Sequence, residues 1–187
     1  ASLLIPVTAS AASTYTVVNG DSLWKIAVKT TTGVQELIDS NPQLANPNVI
    51  YPGQKINVPE AQNAAIEQQV VNLVNKERAA AGLPALKVDW ELARVAEYKS
   101  QDMAAKNYFS HTSPTYGSPF DMMKAFGINY RSAGENIAQG QKTAEQVVNA
   151  WMNSSGHRAN ILNKSYTHIG VGYVTNGNYW TQMFIQK

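Results

Sequence analysis

Two histidines and one glutamate are the residues of this sequence best suited to metal binding or acid–base chemistry. His111 lies in the segment FSH, Glu135 in GENIA and His157 in SSGHRANIL. Imidazole nitrogens bind divalent metals and move protons near neutral pH, and a carboxylate can orient or deprotonate a bound water. The three residues therefore predict either two metal ligands with an acid–base group, or three unrelated polar side chains.

No known catalytic motif in the sequence decides between these alternatives. The sequence contains no HExxH, GxSxG or phosphate-binding loop. It also contains no cysteine, which excludes disulfides, thiolate nucleophiles and cysteine zinc sites. The third histidine, His168, stands at the start of a predicted strand, and for it we favour a structural role.

Composition limits the class of protein. The chain has 187 residues, of which 44% are hydrophobic and 15% charged, and these values predict a globular chain of one domain or two small ones. No apolar run reaches the roughly 18 residues of a transmembrane helix, so no transmembrane segment is expected. The net charge is only +2 and lysines and arginines do not cluster, which argues against nucleic-acid binding.

The first residues have features of a processing signal. Residues 1–13 run from an apolar patch into small residues, and Ala9-Ser10-Ala11 fits the pattern that signal peptidase recognises. A basic start and a complete apolar core are missing, so we expect a signal-peptide remnant or a disordered tail. These features predict export, and the predicted location is therefore extracellular. An exported chain without cysteine is typical of a Gram-positive bacterium.

A small, polar stretch at residues 60–65 divides the chain into a unit at 14–59 and a unit at 66–187. In the first unit, Asp21 or Ser22 can cap one helix and Thr32 a second. Hydrophobic periodicity then predicts the order strand, helix, helix, strand. These elements are expected at residues 15–18, 23–30, 33–40 and 55–58.

The second unit predicts an α+β fold. Helix-start signals occur at Asp89, at Ser118-Pro119 and at Thr143 with Gln146, and an amphipathic helix precedes them from about Ile66. Two apolar runs flank Asn176-Gly177, which is a strong hairpin signal. Helices that precede a terminal antiparallel hairpin indicate helices layered on a sheet.

The first unit resembles a LysM domain. The resemblance rests on YTVVNGDSLWKIA at residues 15–27 and on NP, NPN, IYPGQ and INVP between residues 41 and 59. It implies a βααβ module that binds N-acetylglucosamine-containing glycans, above all peptidoglycan, in a groove between two loops. By position the implied glycan-binding residues are Gly20, Asp21, Ser22, Asn48, Ile50 and Tyr51.

Each of these assignments has a structural alternative. Asp21 and Ser22 can act as helix caps, which we favour over direct sugar contact by either side chain. Ile50 and Tyr51 can pack in the core of the unit instead of lining a groove. One LysM copy is expected to bind weakly, because a single module gains no avidity.

The second unit resembles the CAP superfamily of cysteine-rich secretory proteins, antigen 5 and pathogenesis-related 1 proteins, and most closely its cysteine-free bacterial branch. The resemblance rests on NLVNKER at 72–78, FSH at 109–111, GENI at 134–137 and GHRANIL at 156–162. It implies an α-β-α sandwich with a large cleft. In the superfamily that cleft usually holds two histidines and two acidic residues, and some members bind zinc there.

By this resemblance, His111 and His157 correspond to the two cleft histidines and potential metal ligands, and Glu135 to one cleft acid. The position of the second acid is occupied by Ser154, which is a departure from the pattern. The chain therefore lacks a full acidic tetrad, although a His–His–Glu group can still hold Zn²⁺ or another divalent cation. The alternative for each histidine is a hydrogen-bonded loop residue.

Two functions from different classes fit these features. The first is a secreted, cell-wall-associated protein whose LysM unit binds peptidoglycan and whose cleft binds a ligand or a metal without turnover. The second is a hydrolase of wall peptide or glycan that uses a His–Glu centre or a zinc-bound water. Glycoside hydrolysis normally uses two carboxylates, and only Glu135 is evident, so the sequence favours a binding protein over an enzyme. A spore-envelope protein anchored by its LysM unit is a third possibility.

Overall fold

The structure is a computed structural model that describes residues 13–30, 32–59 and 63–187. The chain divides into two compact units, Ala1–Gln62 and Asn63–Lys187, and each is described by itself. The predicted signal-peptide segment, apart from Ser13, lies outside the described residues, as does the first half of the predicted linker. No helix of the described part is long and apolar enough to cross a membrane.

The first unit has the predicted βααβ order. Its core consists of apolar side chains from both helices and the last strand, among them Ile26, Leu37 and Ile56, which are fully buried. The two strands pair antiparallel. The elements are β1 (Ser13–Thr16), α1 (Leu23–Thr30), α2 (Val34–Asp39) and β2 (Lys55–Val58).

Only one of the three predicted helix caps in this unit forms. The Ser22 hydroxyl accepts a hydrogen bond from the Lys25 N–H at 3.2 Å, as expected at the start of α1. The prediction for Thr32 is wrong, because Gly33 is the N-cap of α2 and makes no side-chain capping bond. Thr32 instead forms a hydroxyl–hydroxyl hydrogen bond with Thr30 at 2.8 Å. Asp21 does not cap α1 either; its contacts are given with the candidate sites.

The second unit is an α-β-α sandwich. Its sheet has the strand order β3-β5-β6-β4, with β3 parallel to β5 and the other pairs antiparallel. Helices α4 and α5 pack on one face, and α3 and α6 on the other. The elements are α3 (Ala64–Ala80), β3 (Lys87–Val88), α4 (Trp90–Lys106), α5 (Pro119–Ala125), β4 (Ser132–Gln139), α6 (Ala144–Met152), α7 (Ser155–Ile161), β5 (His168–Val174) and β6 (Tyr179–Gln186).

The helix-start signals of this unit are confirmed. The side chains of Asp89, Ser118 and Thr143 accept hydrogen bonds from the first turns of α4, α5 and α6. The Gln146 side chain accepts from the Lys142 N–H, one residue earlier than in the predicted capping box. The hairpin of β5 and β6 also forms as predicted.

Two elements that carry candidate site residues were not predicted. Strand β4 has the sequence SAGENIAQ, which offers few β-branched or aromatic residues, yet it pairs with β6 over its whole length. Helix α7 is only seven residues long and includes Gly156, a poor helix former. Pairing with β6 and hydrogen bonds to β4 therefore stabilise structures that local sequence does not favour.

Helix α4 lies unusually close to β5. A Cβ atom at Gly170 would lie 2.4 Å from the Ala93 nitrogen, and one at Gly172 would lie 2.3 Å from the Glu97 nitrogen. The Ser100 hydroxyl donates to the Gly172 carbonyl at 3.0 Å. Since only glycine allows this approach, Gly170 and Gly172 determine how deeply α4 sits on the sheet.

We expect Gly172→Ala to lower the free energy of unfolding by about 2–3 kcal/mol, because the added methyl meets helix backbone that cannot move aside cheaply. Urea denaturation followed by circular dichroism measures this. Gly156→Ala in α7 is the matched control, since nothing lies within 4 Å of its added Cβ. The control should leave stability unchanged or raise it slightly. Equal effects of the two substitutions would contradict the close contact.

Candidate functional site

The candidate site of the second unit lies at strand β4, one of the two edge strands of its sheet. His111, in the loop after α4, forms a hydrogen bond from Nδ1 to Glu135 Oε1 at 2.8 Å. The Glu135 side chain is 2% exposed and that of His111 is 53% exposed. Because Nδ1 faces the buried carboxylate, Nε2 is the nitrogen that His111 can offer to a ligand.

The second carboxylate oxygen of Glu135 has no hydrogen-bond partner among the residues that the structure describes. Oε2 is buried and makes no hydrogen bond within the described part of the chain. Buried polar atoms in native proteins almost always have a partner. This oxygen is therefore placed to accept a hydrogen bond from a water, from a metal-bound water or from a donor group of a ligand.

The loop that carries His111 is anchored to α4 by Asp102. The Asp102 carboxylate accepts hydrogen bonds from the hydroxyls of Tyr108, Ser113 and Thr115 at 2.5, 2.7 and 2.8 Å. Burial acts to raise the pKa of Asp102, but these three hydrogen bonds outweigh it and hold the pKa below its ordinary value. A charged Asp102 thus fixes both sides of the loop around His111.

His157 reaches the site on α7, which two asparagines attach to β4. The Asn136 side chain donates to the His157 carbonyl at 3.0 Å. The Asn160 side chain donates to the Glu135 carbonyl at 3.2 Å and to Asn136 Oδ1 at 2.9 Å. Glu135 and Asn136 of the GEN motif therefore hold the two histidine-bearing segments, one each.

The packing around Gly134, the first residue of this motif, explains why a glycine stands there. A Cβ atom at Gly134 would lie 2.5 Å from the Tyr166 hydroxyl and 3.1 Å from Asn160 Oδ1. A larger residue would collide with the Tyr166 hydroxyl and crowd Asn160, which attaches α7 to β4. Position 134 thus accepts only glycine without disturbing the site.

Arg78, which was not predicted as a functional residue, supports α7 at its other end. Its side chain is buried, and its guanidinium donates to the carbonyls of Ile161 and Asn163 at 2.8 and 2.9 Å. These carbonyls lie at the end of α7, where a helix leaves its acceptors unpaired. The sequence feature that could have pointed to this role is the arginine in the NLVNKER segment of α3.

His157 is electrostatically linked to His111. Burial lowers the pKa of His157, and the nearby charge that His111 carries when protonated lowers it further. His157 is therefore neutral at neutral pH, which is the state in which imidazole binds metals. Within the described residues no group of three or more His, Cys, Asp or Glu side chains could hold a metal. A cation here would have the two histidines as its protein ligands.

Ser154 and His168 do not extend the site, because Ser154 carries no acid group and His168 lies elsewhere. Ser154, at the position of the second cleft acid, is the N-cap residue of α7 and makes no side-chain capping bond. His168 begins β5, and its Nδ1 lies 2.7 Å from the Thr167 hydroxyl in a hydrogen bond. These contacts fit a structural role for His168.

Asp21, one of the implied glycan-binding residues, is occupied with contacts inside the first unit. Its carboxylate accepts hydrogen bonds from the Tyr15 hydroxyl at 2.8 Å and the Val18 N–H at 2.9 Å. It also pairs with the Lys29 ammonium at 2.7 Å, and this hydrogen bond is the main cause that lowers the pKa of Asp21 to about 2. Asp21 thus closes the turn before α1 instead of capping the helix.

The other implied glycan-binding residues differ in their accessibility. Gly20 has φ +87°, which favours glycine, and its carbonyl accepts from the Lys25 ammonium. Asn48 is exposed and Tyr51 is 62% exposed, whereas Ile50 packs against the core. Trp24, which was not among the predicted residues, is 55% exposed. The sequence could have indicated this exposure, because Trp24 stands among the polar positions of the amphipathic helix α1.

Two family models match the chain. The model described as the cysteine-rich secretory protein family matches residues 71–186. The LysM domain model matches residues 15–59. Together they cover both units of the structure.

Several bacterial proteins are similar in sequence or structure. YkwD of Bacillus subtilis is 64% identical over 124 residues, which are 66% of this chain and 48% of YkwD. The spore coat assembly protein ExsA of Bacillus cereus is 40% identical over 75 residues, or 35% of this chain and 12% of ExsA.

Among solved structures, an extracellular SCP-domain protein of Bacillus anthracis strain Ames has a TM-score of 0.63 and 36% identity. The match covers 73% of this chain and 47% of that one. This chain therefore spans less than half the length of YkwD and of the B. anthracis protein.

We expect the His157 ring to titrate below the ordinary histidine pKa of 6.5, and His111→Gln to raise that midpoint. The rise should be partial, because burial is the larger cause and remains. Nuclear magnetic resonance of the ring signals against pH measures both values. His168→Gln is the control and should leave the His157 midpoint unchanged. An unchanged midpoint in His111→Gln would place the two rings beyond electrostatic reach.

Proposed function

The chain belongs to the cysteine-rich secretory protein family and carries a LysM domain ahead of the family domain, and from this premise we propose that it is a cell-wall binding protein. The LysM unit binds N-acetylglucosamine-containing glycans of peptidoglycan. The family domain presents a His/Glu cleft that binds a divalent cation or a small ligand. Its place of action is extracellular, on the wall of a Gram-positive bacterium.

The observation that carries glycan binding is a set of exposed apolar side chains on the LysM unit. Four of the seven large apolar side chains that are exposed among the described residues belong to this small unit: Val18, Trp24, Val49 and Tyr51. They lie in or next to the two loops at 19–23 and 48–51. Exposed apolar side chains are a feature of binding surfaces, and aromatic rings stack on the apolar faces of sugar rings.

Sedimentation of the full chain with purified peptidoglycan tests this role. We expect the wild type to sediment and Tyr51→Ala to bind about tenfold more weakly, since one lost stacking contact of roughly 1.4 kcal/mol has that effect. Phe120→Ala is the matched control, because Phe120 is an exposed aromatic residue of the other unit. Failure of the wild type to sediment, or equal loss in both variants, would refute glycan binding by the LysM unit.

The chemistry of the donor set supports a cation in the cleft. Glu135 can accept from His111 Nδ1–H, the arrangement by which carboxylates orient metal-binding imidazoles. His157 supplies a neutral second imidazole, and the free Glu135 Oε2 can accept from a bound water. Zn²⁺ suits two imidazoles and water, and when bound it would polarise that water.

Calorimetric titration of zinc into metal-free protein near neutral pH tests the cleft. We expect stoichiometric binding that is lost in the double variant His111→Ala/His157→Ala. His168→Ala is the control and should bind as the wild type does. If the wild type binds no zinc, or if all variants lose binding alike, the cleft is not a cation site.

Hydrolysis of wall polymers is the less favoured alternative. Glu135 Oε2 could take a proton from an attacking water, which is the observation in favour of catalysis. The cleft residues identified supply only this carboxylate, however, because Ser154 stands where a second acid is usual. Release of soluble fragments from peptidoglycan by the wild type but not by Glu135→Gln would establish the enzyme.

A spore-envelope location is the second alternative. Similarity to a protein named for spore coat assembly in Bacillus cereus is the observation that favours it. Detection of the protein in purified spores and its absence from vegetative walls would support that location.

A further inference from the structure

Lys99 is a fully buried ammonium beside the cleft. Its side chain is 0% exposed, and it lies on α4 three residues before Asp102. The ammonium donates a hydrogen bond to the His111 carbonyl at 2.7 Å and lies 5.5 Å from the centre of the Tyr108 ring. The acidic groups that act on it electrostatically are Glu135 and Asp102.

A buried ammonium is costly, and a hydrophobic residue of similar size would be cheaper to bury. Asp102 anchors the hydroxyls of Tyr108, Ser113 and Thr115, so the loop has an attachment to α4 besides Lys99. The contact that Lys99 adds is with His111 itself. Lys99 therefore attaches the loop to α4 at the site residue itself.

Two contacts converge on His111 from different elements. Lys99 on α4 holds its main-chain carbonyl, and Glu135 on β4 holds its ring through Nδ1. A carboxylate can only accept a hydrogen bond, so this arrangement requires the proton of the neutral ring on Nδ1. The lone pair of the ring is then on Nε2. A free histidine ring mainly carries its proton on Nε2, so the observed contacts select the less common tautomer.

We propose that Lys99 is a positioning residue of the cleft, which fixes the main chain of His111 so that its ring keeps the Nδ1–H tautomer and presents the Nε2 lone pair to a divalent cation. The proposal rests on the proposed role of the cleft as a cation site. Lys99 makes no contact with the cation in this arrangement and acts through His111 alone.

The test is the tautomer of His111 in the metal-free full chain, read from ¹⁵N chemical shifts of the ring at a pH where histidine is neutral. In the wild type we expect the Nδ1–H form. In Lys99→Met, which keeps the length of the side chain and removes its charge, we expect the Nε2–H form to become substantial. Zinc affinity should fall about tenfold or more, as for loss of other groups that orient a metal ligand.

Two controls separate this role from general destabilisation. Lys124→Met removes an exposed lysine from α5 and should change neither the tautomer nor the affinity. Asp102→Asn weakens the anchor of the loop but keeps Lys99, and His111 should remain in the Nδ1–H form. If His111 keeps the Nδ1–H form in folded Lys99→Met, the proposal is wrong.

A second variant covers the case in which Lys99→Met does not fold. Lys99→Gln keeps a donor near the His111 carbonyl without the charge, and we expect a smaller shift toward the Nε2–H form. An unchanged tautomer in Lys99→Gln would overturn the proposal. Because these spectra are recorded without metal, they judge Lys99 even if the wild type binds no zinc, a result that would refute the cation site alone.

Discussion

The close contact of α4 with β5 is the constraint on which the family domain depends. Gly170 and Gly172 have no side chains on the face that α4 covers, so the helix backbone rests directly on the strand. The distance between α4 and β5 then determines the positions of the Lys99 and Asp102 side chains. Those two residues hold the loop of His111, so the geometry of the cleft follows from two glycines in another strand.

Strand β4, at one edge of the sheet, connects the two halves of the candidate site. Successive residues of a strand point to opposite faces, and Glu135 and Asn136 use this alternation to hold different segments. Glu135 binds the ring of His111, and Asn136 binds the backbone of His157. The carbonyl of Glu135 is occupied by the Asn160 side chain, which protects part of the strand edge. The GEN motif thus forms part of strand β4, holds two other segments of the chain and supplies the carboxylate of the candidate site.

In the LysM unit, one of the implied glycan-binding residues makes internal contacts, whereas others are exposed. Asp21 is tied to Tyr15, Val18 and Lys29, so a charged residue at the expected glycan site acts as an internal brace. Among the implied glycan-binding residues, the polar Asn48 and the aromatic Tyr51 are both exposed. The charge of Asp21 is thus used inside the unit, while the Tyr51 ring is open to solvent.

Local signals in the sequence determined the helix starts at Asp89, Ser118 and Thr143 and the final hairpin, because a cap or a tight turn depends on residues within about four positions. Family resemblance identified His111, Glu135 and His157. Strand β4 and helix α7 escaped prediction, since distant partners stabilise them. Only the tertiary structure showed the Glu135–His111 bond across 24 positions, the unpartnered carboxylate oxygen and the buried Lys99. Contacts between residues so far apart depend on how helices pack on the sheet, and no local pattern of residues encodes that packing.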